Sequence, residues 1–535
     1  MQGLANDFVR YFIAAGIRLI GLVLNQAQRL RIVRFRRDQL RLKRRYGIDT
    51  ETPILPYGPQ LEELINKKAK ALGSKAMFAT TSGSTGKPKR LLYSAKRLKT
   101  LSRTYSEVFC RMCWSLSFKR TSLYVFSSFK EDDSLTAMLL GETRLPSYLT
   151  TLQAPYRVQC AEIIKTLVDE YGSAAVRLWL LTMSNPGVLY ATNPSTIVAF
   201  LDEVDRDWQL VSQLVRDWHH RPHSFNPRLN KIARRIESGG SVQRLAQIAG
   251  SDSPLELEVW APGVKAYICW TGVYVKPFLD RLTHYLPASK YQLIPMYSMS
   301  TETVETVSDF DGSQVSFLPL GPGVAYEFIE EGHSDLPEHL LRADQLMAGS
   351  NYSMVVSDAF GLSRYQTNDL FRCEGKNAGL PNLSFLRRRE LEYSFTGEKL
   401  TAEQLCIVYE ELKRETELGH SFLTCVPCSG PVPHYSIYAV GTDVMPLWSE
   451  KIDTRLCELN SEYRNKRASG RLGAVRLGQI ELEEFVRRTP SAATTWETQF
   501  KFLPLYREPW LCACGTTFSL STTRSLREQA ELKHK

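Results

Sequence analysis

The stretch most suited to chemistry is Phe78 to Leu91, FATTSGSTGKPKRL. Gly83 and Gly86 permit backbone conformations closed to residues with a Cβ, so successive N–H groups can converge on an anion. Thr81, Ser82, Ser84 and Thr85 add hydroxyl donors, and Lys87 and Lys89 add positive charge. An apolar lead-in running into such a loop is the pattern of a strand that delivers the chain to a phosphate cradle. A Walker A loop is excluded, because its glycines stand further apart and Ser or Thr follows its lysine. Here two residues separate the glycines and Pro88 follows Lys87. A plain Ser/Gly linker does not ordinarily place Pro-Lys after such a loop behind an apolar run.

The elements around the loop read as an α/β protein of more than one domain, since 535 residues exceed a single core. Residues 1–50 read as helix, 53–60 as a proline-rich connector and 61–72 as helix. AMFATTSG is a strand entering the loop. TSLYVFSS (121–128) and VRLWLLT (176–182) look like buried strands, and 195–248 has helical periodicity. LELEVW (255–260), KAYICW (265–270) and YQLIPMYS (291–298) return to strand. After FLRRRELEYSF (385–395) a compact α+β pattern follows, of the size of a small domain. The expected division is a basic helical segment 1–50, a large α/β domain 51–389, a small α+β domain 390–511 and a polar basic tail 512–535.

Composition limits the function classes. The formal charge of +10 is uneven, and Arg29 to Arg45 holds nine Lys/Arg against one Asp with Leu30, Val33, Leu40 and Leu42 interleaved. That pattern suits a basic amphipathic helix, either docked on its own domain or in peripheral contact with an anionic membrane. No nucleic-acid-binding module accompanies the charge, so nucleic acid is not an expected partner. No apolar run reaches membrane-spanning length, and YFIAAGIRLIGLVL (11–24) carries Arg18 and lacks a small-residue cleavage site. The eleven cysteines are odd in number and scattered, which predicts reduced thiols and a cytoplasmic location. Cys110/Cys113 and Cys425/Cys428 have metal-like spacing but no neighbouring His, so buried thiols are expected there. Cys512 and Cys514 carry no redox signal beyond their proximity.

The loop resembles the T-S-G-S-T-G-x-P-K signature of adenylate-forming enzymes, which activate carboxylates with ATP. Three further segments follow in that superfamily's order. YSMSTE (297–302) resembles its Y-x-S-S/T-E motif. GLSRYQTNDLFR (361–372) resembles G-L-Y-R-Y-R-x-G-D-x-x-R of the auxin-responsive acyl-acid amido synthetases and their bacterial relatives. TQFKFLPLYR (498–507) resembles the Q-Y-K-x-P-R element of the same branch. The likeness spans residues 78–507. Departures are Ser298 where the family tyrosine aligns, with Tyr297 one place early, Asn368 for the family glycine and Gln366 for the second arginine.

The resemblance implies a large adenylate-forming domain followed by a small mobile one, using ATP and Mg²⁺. It implies an acid on Mg²⁺ at Glu302, ribose contact at Asp369 and a mobile catalytic lysine at Lys501. Tyr297, Ser300, Thr301 and the loop residues Thr81 to Lys87 and Lys89 would surround ATP. Arg388, Arg389 and Glu390 fall at the hinge, while Thr271, Gly272 and Arg364 fall beside the nucleotide and acyl pocket. The implied reaction converts a small carboxylic acid to an acyl adenylate and transfers it to an amino acid or other amine, in a monomer or dimer. A ligase forming a thioester with coenzyme A or a carrier protein shares the first half-reaction. An inactive nucleotide-binding or membrane-associated scaffold is the alternative that Ser298 and Gln366 favour.

Overall fold

A computed structural model describes residues 2–80, 89–126, 135, 162–272, 275–296, 299–312, 314–389, 392–416, 422–441, 447–489, 502–507 and 511. The chain forms two compact units. The first holds Met1–Leu391 with Leu418–Ser421 and Pro490–Leu503, and the second holds Glu392–Glu417, Phe422–Thr489 and Pro504–Lys535.

In the large unit, α1 (Gln2–Tyr46) is one helix of 45 residues and α2 (Pro59–Leu72) follows it. β1 (Met77–Thr80) and β2 (Arg90–Tyr93) pair antiparallel, with Thr80 opposite Arg90. The two strands flank the Ser/Thr/Gly segment in sequence, and Thr81–Pro88 lie outside the described residues. Ser94 caps α3 (Ala95–Ser115), its hydroxyl accepting from the Arg97 N–H at 3.2 Å. Four parallel strands then run in sequence order: β3 (Leu123–Val125), β4 (Val188–Tyr190), β5 (Ala266–Cys269) and β6 (Gln292–Pro295). Such a sheet requires crossover connections, and the helical stretches between the strands supply them.

A hairpin of β7 (Val307–Asp311) and β8 (Gln314–Leu318) leads to a four-stranded antiparallel sheet. Its order is β12-β11-β10-β9, built from β9 (Ala325–Glu330), β10 (Asn351–Ser357), β11 (Tyr365–Asn377) and β12 (Leu380–Arg388). One continuous apolar core joins β1, β2 and α3 to both large sheets through Leu92, Ile268, Ile294, Phe328 and Phe371.

The small unit carries a three-stranded sheet of Phe422–Cys428, His434–Val440 and Arg476–Ile480, antiparallel then parallel. Helices Ala402–Thr416, Leu447–Leu459 and Ser461–Ala468 accompany it. Gly397-Glu398-Lys399 forms a turn there. The buried Glu398 carboxylate accepts from the Phe395 and Thr396 N–H groups and from the Tyr435 hydroxyl. Burial alone would raise the Glu398 carboxyl, but these donors outweigh it and leave its pKa below the ordinary value.

Several sequence expectations need correction. VRLWLLT lies in a helix, Ser173–Ser184, and not a strand. Every residue from Ala174 to Ser184 is buried, so the helix has no polar face to betray its period. Thr182 and Ser184 donate their hydroxyls to the carbonyls four residues back. LELEVW contains a single helical turn, Leu257–Trp260. The N-terminal helix lies within the large unit, in keeping with the docked reading of its apolar stripe, and the Phe502 ring stacks on Phe278 at 4.9 Å. Cys428 is disulfide-bonded, which overturns a uniformly reduced set of thiols and removes that argument for a reducing compartment. Spacing along a chain does not disclose which cysteines meet. Cys110, Cys113 and Cys425 are free and buried, and no cluster of three metal-ligating side chains occurs among the described residues.

Candidate active site

The site is built where the β1–β2 hairpin meets the segment after β6 and the start of β11. Tyr57 ties the base of the hairpin. Its hydroxyl accepts from the Arg90 N–H at 2.8 Å and donates to the Arg90 carbonyl at 3.2 Å. Lys89 emerges beside it and extends its ammonium to Glu302 at 3.0 Å and to the Tyr365 hydroxyl at 2.9 Å. The Tyr57 and Tyr365 rings flank that ammonium, their centroids 5.8 and 5.6 Å away.

Glu302 is fixed from behind through its backbone. Tyr93 donates to the Thr301 carbonyl at 2.6 Å, and Arg97 donates to the Glu302 carbonyl at 2.9 Å. Arg97 also pairs with Asp358 at 3.1 Å and lies over the Tyr93 and Phe360 rings. The Ser300 hydroxyl accepts from the Thr303 N–H at 3.3 Å, closing the turn that presents Glu302. Burial pushes the Glu302 carboxyl up. Lys89, by charge and by hydrogen bond, and Arg388 outweigh that, so its pKa lies below the ordinary carboxylate value.

Asp369 stands on β11 opposite Arg388 on β12, and the guanidinium Nε donates to its Oδ1 at 3.2 Å. The Thr367 hydroxyl accepts from the Asp369 N–H at 3.2 Å, stiffening the turn through Asn368. Asn368 has φ +61°, the left-handed backbone that glycine, and after it Asn, adopts most readily. Asp369, then Glu302 and Glu305, draw Arg388 further toward its charged form despite burial. Tyr365 is pushed the other way: burial first, then Glu302 and Asp369, hold its phenol protonated. A buried phenol, two buried carboxylates and two cations thus share one neighbourhood, a set suited to gripping a charged, polyhydroxylated ligand.

The remaining candidates divide. Ser300 and Thr301 sit in the Glu302 turn. Thr271 and Gly272 follow β5, where Gly272 lies against the Trp270 ring so closely that an added Cβ would fall 2.4 Å from it. Trp270 in turn packs edge-on against Phe385 at 5.5 Å. Arg364 does not present its charge to this group. Its guanidinium forks onto Glu327 at 3.0 and 3.1 Å and donates to the Thr52 carbonyl at 2.6 Å. Gln366 likewise faces Ser353 and Asp335, and Arg389 joins Asp335 at 2.6 Å. Thr81, Ser82, Gly83, Ser84, Thr85, Gly86, Lys87, Tyr297, Ser298, Glu390 and Lys501 lie outside the described residues.

Sequence reading missed Tyr365 and Arg97. Tyr365 stood inside a quoted motif without a role, and a lone arginine in the first turn of α3 gives no signal of its own.

Family models match the chain in two blocks: the GH3 family N-terminal domain over residues 61–291 and the GH3 family central domain over 317–388. The chain belongs to the GH3 family. The central-domain block ends on Arg388 and encloses Tyr365 and Asp369, while Lys89 falls in the N-terminal block. Among relatives of this GH3 chain, the indole-3-acetic acid-amido synthetase GH3.2 of Arabidopsis thaliana is 26% identical over 253 residues, covering 40% of this chain and 46% of that protein. The jasmonoyl–L-amino acid synthetase GH3.5 of Oryza sativa subsp. japonica is 29% identical over 175 residues, 30% of this chain and 29% of that protein. The matched part thus spans less than half the length of these curated relatives. The solved AtGH3.15 acyl acid amido synthetase in complex with 2,4-DB shares the fold, with a TM-score of 0.62 at 17% identity over 85% of each chain. The GH3 chain therefore shares the α/β fold of that structure, with a large N-terminal unit and a smaller α+β one.

Proposed function

We propose that the chain is an ATP-dependent acyl acid amido synthetase. It activates a small carboxylic acid as its adenylate and passes the acyl group to an amine, most simply an amino acid. The observation that carries this reading is the joint placement of Glu302, Asp369, Lys89, Tyr365 and Arg388 beside the β1–β2 hairpin. Its support from relatives is their naming as amido synthetases.

In the first step an oxygen of the substrate carboxylate attacks the α-phosphorus of ATP and pyrophosphate leaves. Negative charge grows around that phosphorus. The N–H groups and hydroxyls of Thr81 to Lys87, together with Lys89 and Lys501, would stabilise it. Asp369 suits the ribose, because an ionised carboxylate accepts two O–H donors at once. Mg²⁺ fits Glu302, since this ion is commonly held by one or two carboxylates plus substrate phosphates. When bound it would neutralise phosphate charge beside that acid. In the second step the amine nitrogen attacks the acyl carbon, AMP departs and the amine gives up a proton to form the amide. Arg388, Arg389 and Glu390 border the junction between the units and would serve as the hinge that exchanges the two steps. Phe502, anchored on Phe278, would position Lys501 next to it.

Acid-dependent AMP release, measured with an amino-acid panel and separately with coenzyme A, tests the acceptor. Stimulation by amino acids supports the reading. Stimulation by the thiol alone would make the chain a thioester-forming ligase.

A further inference from the structure

Helix α1 has two apolar sides. Ala14, Ile17 and Ile32 are buried against the large unit, and Gly21 meets α3 so closely that an added Cβ would lie 2.1 Å from the Cys110 carbonyl oxygen. The helix is pinned along its length by Arg10 to the Ser184 and Ile236 carbonyls, Lys43 to Glu327 and Tyr46 to the Gly323 carbonyl. The opposite side is open. Leu4, Phe8, Phe12, Leu19 and Val23 are between 59 and 70% exposed. At about 100° per residue they fall on one face roughly 120° wide.

Toward the C-terminal end the same outward face carries Leu30, Val33 and Leu40 interleaved with the exposed Arg37, Arg41 and Arg44. No carboxylate lies on it. Asp7 turns inward to Arg10 and the Gly239 N–H, while Asp38 borders the face with its carboxylate 3.9 Å from Arg37 and 3.8 Å from Arg41, leaving the arginines in excess there.

We propose that this face is a docking surface for an anionic lipid bilayer, with α1 lying in the plane of the membrane. Aromatic and aliphatic side chains would enter the headgroup boundary while the arginines meet lipid phosphates. The charge pattern selects this occupant over a second copy of the chain. Parallel pairing of two such helices would bring arginines against arginines, and antiparallel pairing would bury them against Phe8 and Phe12. Neither arrangement supplies a carboxylate beyond Asp38, which already lies beside Arg37 and Arg41 and leaves Arg44 without one. Among the described residues no helix is long and apolar enough to cross a membrane, and the buried stripe holds α1 to the protein, so the helix rests on the bilayer.

The test is co-sedimentation of the full-length chain with phosphatidylcholine vesicles, with and without about a third phosphatidylserine. Three chains are compared: wild type, Phe8→Gln/Phe12→Gln/Leu19→Gln, and Arg37→Gln/Arg41→Gln/Arg44→Gln. All six side chains are exposed, so both variants should fold, and circular dichroism checks this. Wild type should bind anionic vesicles and release them in high salt. The arginine variant should bind them on the order of a hundredfold more weakly, and the apolar variant should lose binding to both vesicle types. Equal binding by all three chains overturns the proposal. So does absence of wild-type binding, including the case in which the chain is a dimer that the apolar variant dissociates.

Discussion

Arg388 and Asp369 face each other across β11 and β12, joined by a 3.2 Å contact in which the guanidinium donates to the carboxylate. Asp369 first, then Glu302 and Glu305, draw the Arg388 guanidinium further toward its charged form despite burial. A ribose that donates two hydroxyls to Asp369 must share that carboxylate with Arg388 rather than replace it. Asp369→Asn keeps the shape and removes the charge. Hydrogen bonds to a charged acceptor are worth about 1.5–3 kcal/mol, so the KM for ATP should rise on the order of tenfold to a hundredfold. Steady-state AMP release at varied ATP checks this. A loss confined to kcat, with KM for ATP unchanged, would move the ribose elsewhere.

Glu302 gives a pH signature. The folded chain releases the Glu302 proton at a lower pH than the unfolded chain, so between those two values the unfolded state holds the extra proton and stability rises with pH. The contribution is complete above the ordinary carboxyl value of 4.5 and is lost as pH falls through the lower folded value. Glu302→Gln should therefore flatten the acid limb of stability against pH by at most about 1.4 kcal/mol per pH unit. Urea unfolding from about pH 3 to pH 6 reads it. Identical limbs would mean that Glu302 gains nothing from Lys89.

Arg364 tests the distinction between packing and pocket. Its guanidinium is buried in a fork onto Glu327, which Lys43 also contacts. Arg364→Met leaves a buried carboxylate without its main partner and should destabilise the large unit by about 3–5 kcal/mol. Denaturant midpoints measure that loss. A variant of unchanged stability with a raised KM for ATP or acid would return Arg364 to the pocket.

Legibility followed the physics of each segment. The strand β1 that leads into the Ser/Thr/Gly segment was readable from its apolar run before that segment. Asn368 stands where the family has glycine, and its left-handed backbone is one that few other residue types tolerate. The helix at Ser173–Ser184 was not, since burial on all sides erases the polar period that separates helix from strand. A motif gives position but not direction: Arg364, at φ +39°, engages Glu327 through its guanidinium. The fork partner lies 37 residues upstream, and nothing in the local sequence announces it. Tyr365 and Arg97 act through contacts to Lys89 and the Glu302 backbone that exist only once β2, α3 and β11 are folded together.

The central claim is that one ATP is activated between the hairpin, Glu302 and Lys501. The direct measurement is acid-dependent exchange of pyrophosphate into ATP, across a panel of carboxylic acids, for wild type, Glu302→Gln and Lys501→Ala. At least one acid should support exchange by wild type, and each substitution should reduce it by on the order of a hundredfold or more. Exchange that is absent for every acid, or equal in all three chains, would contradict the account.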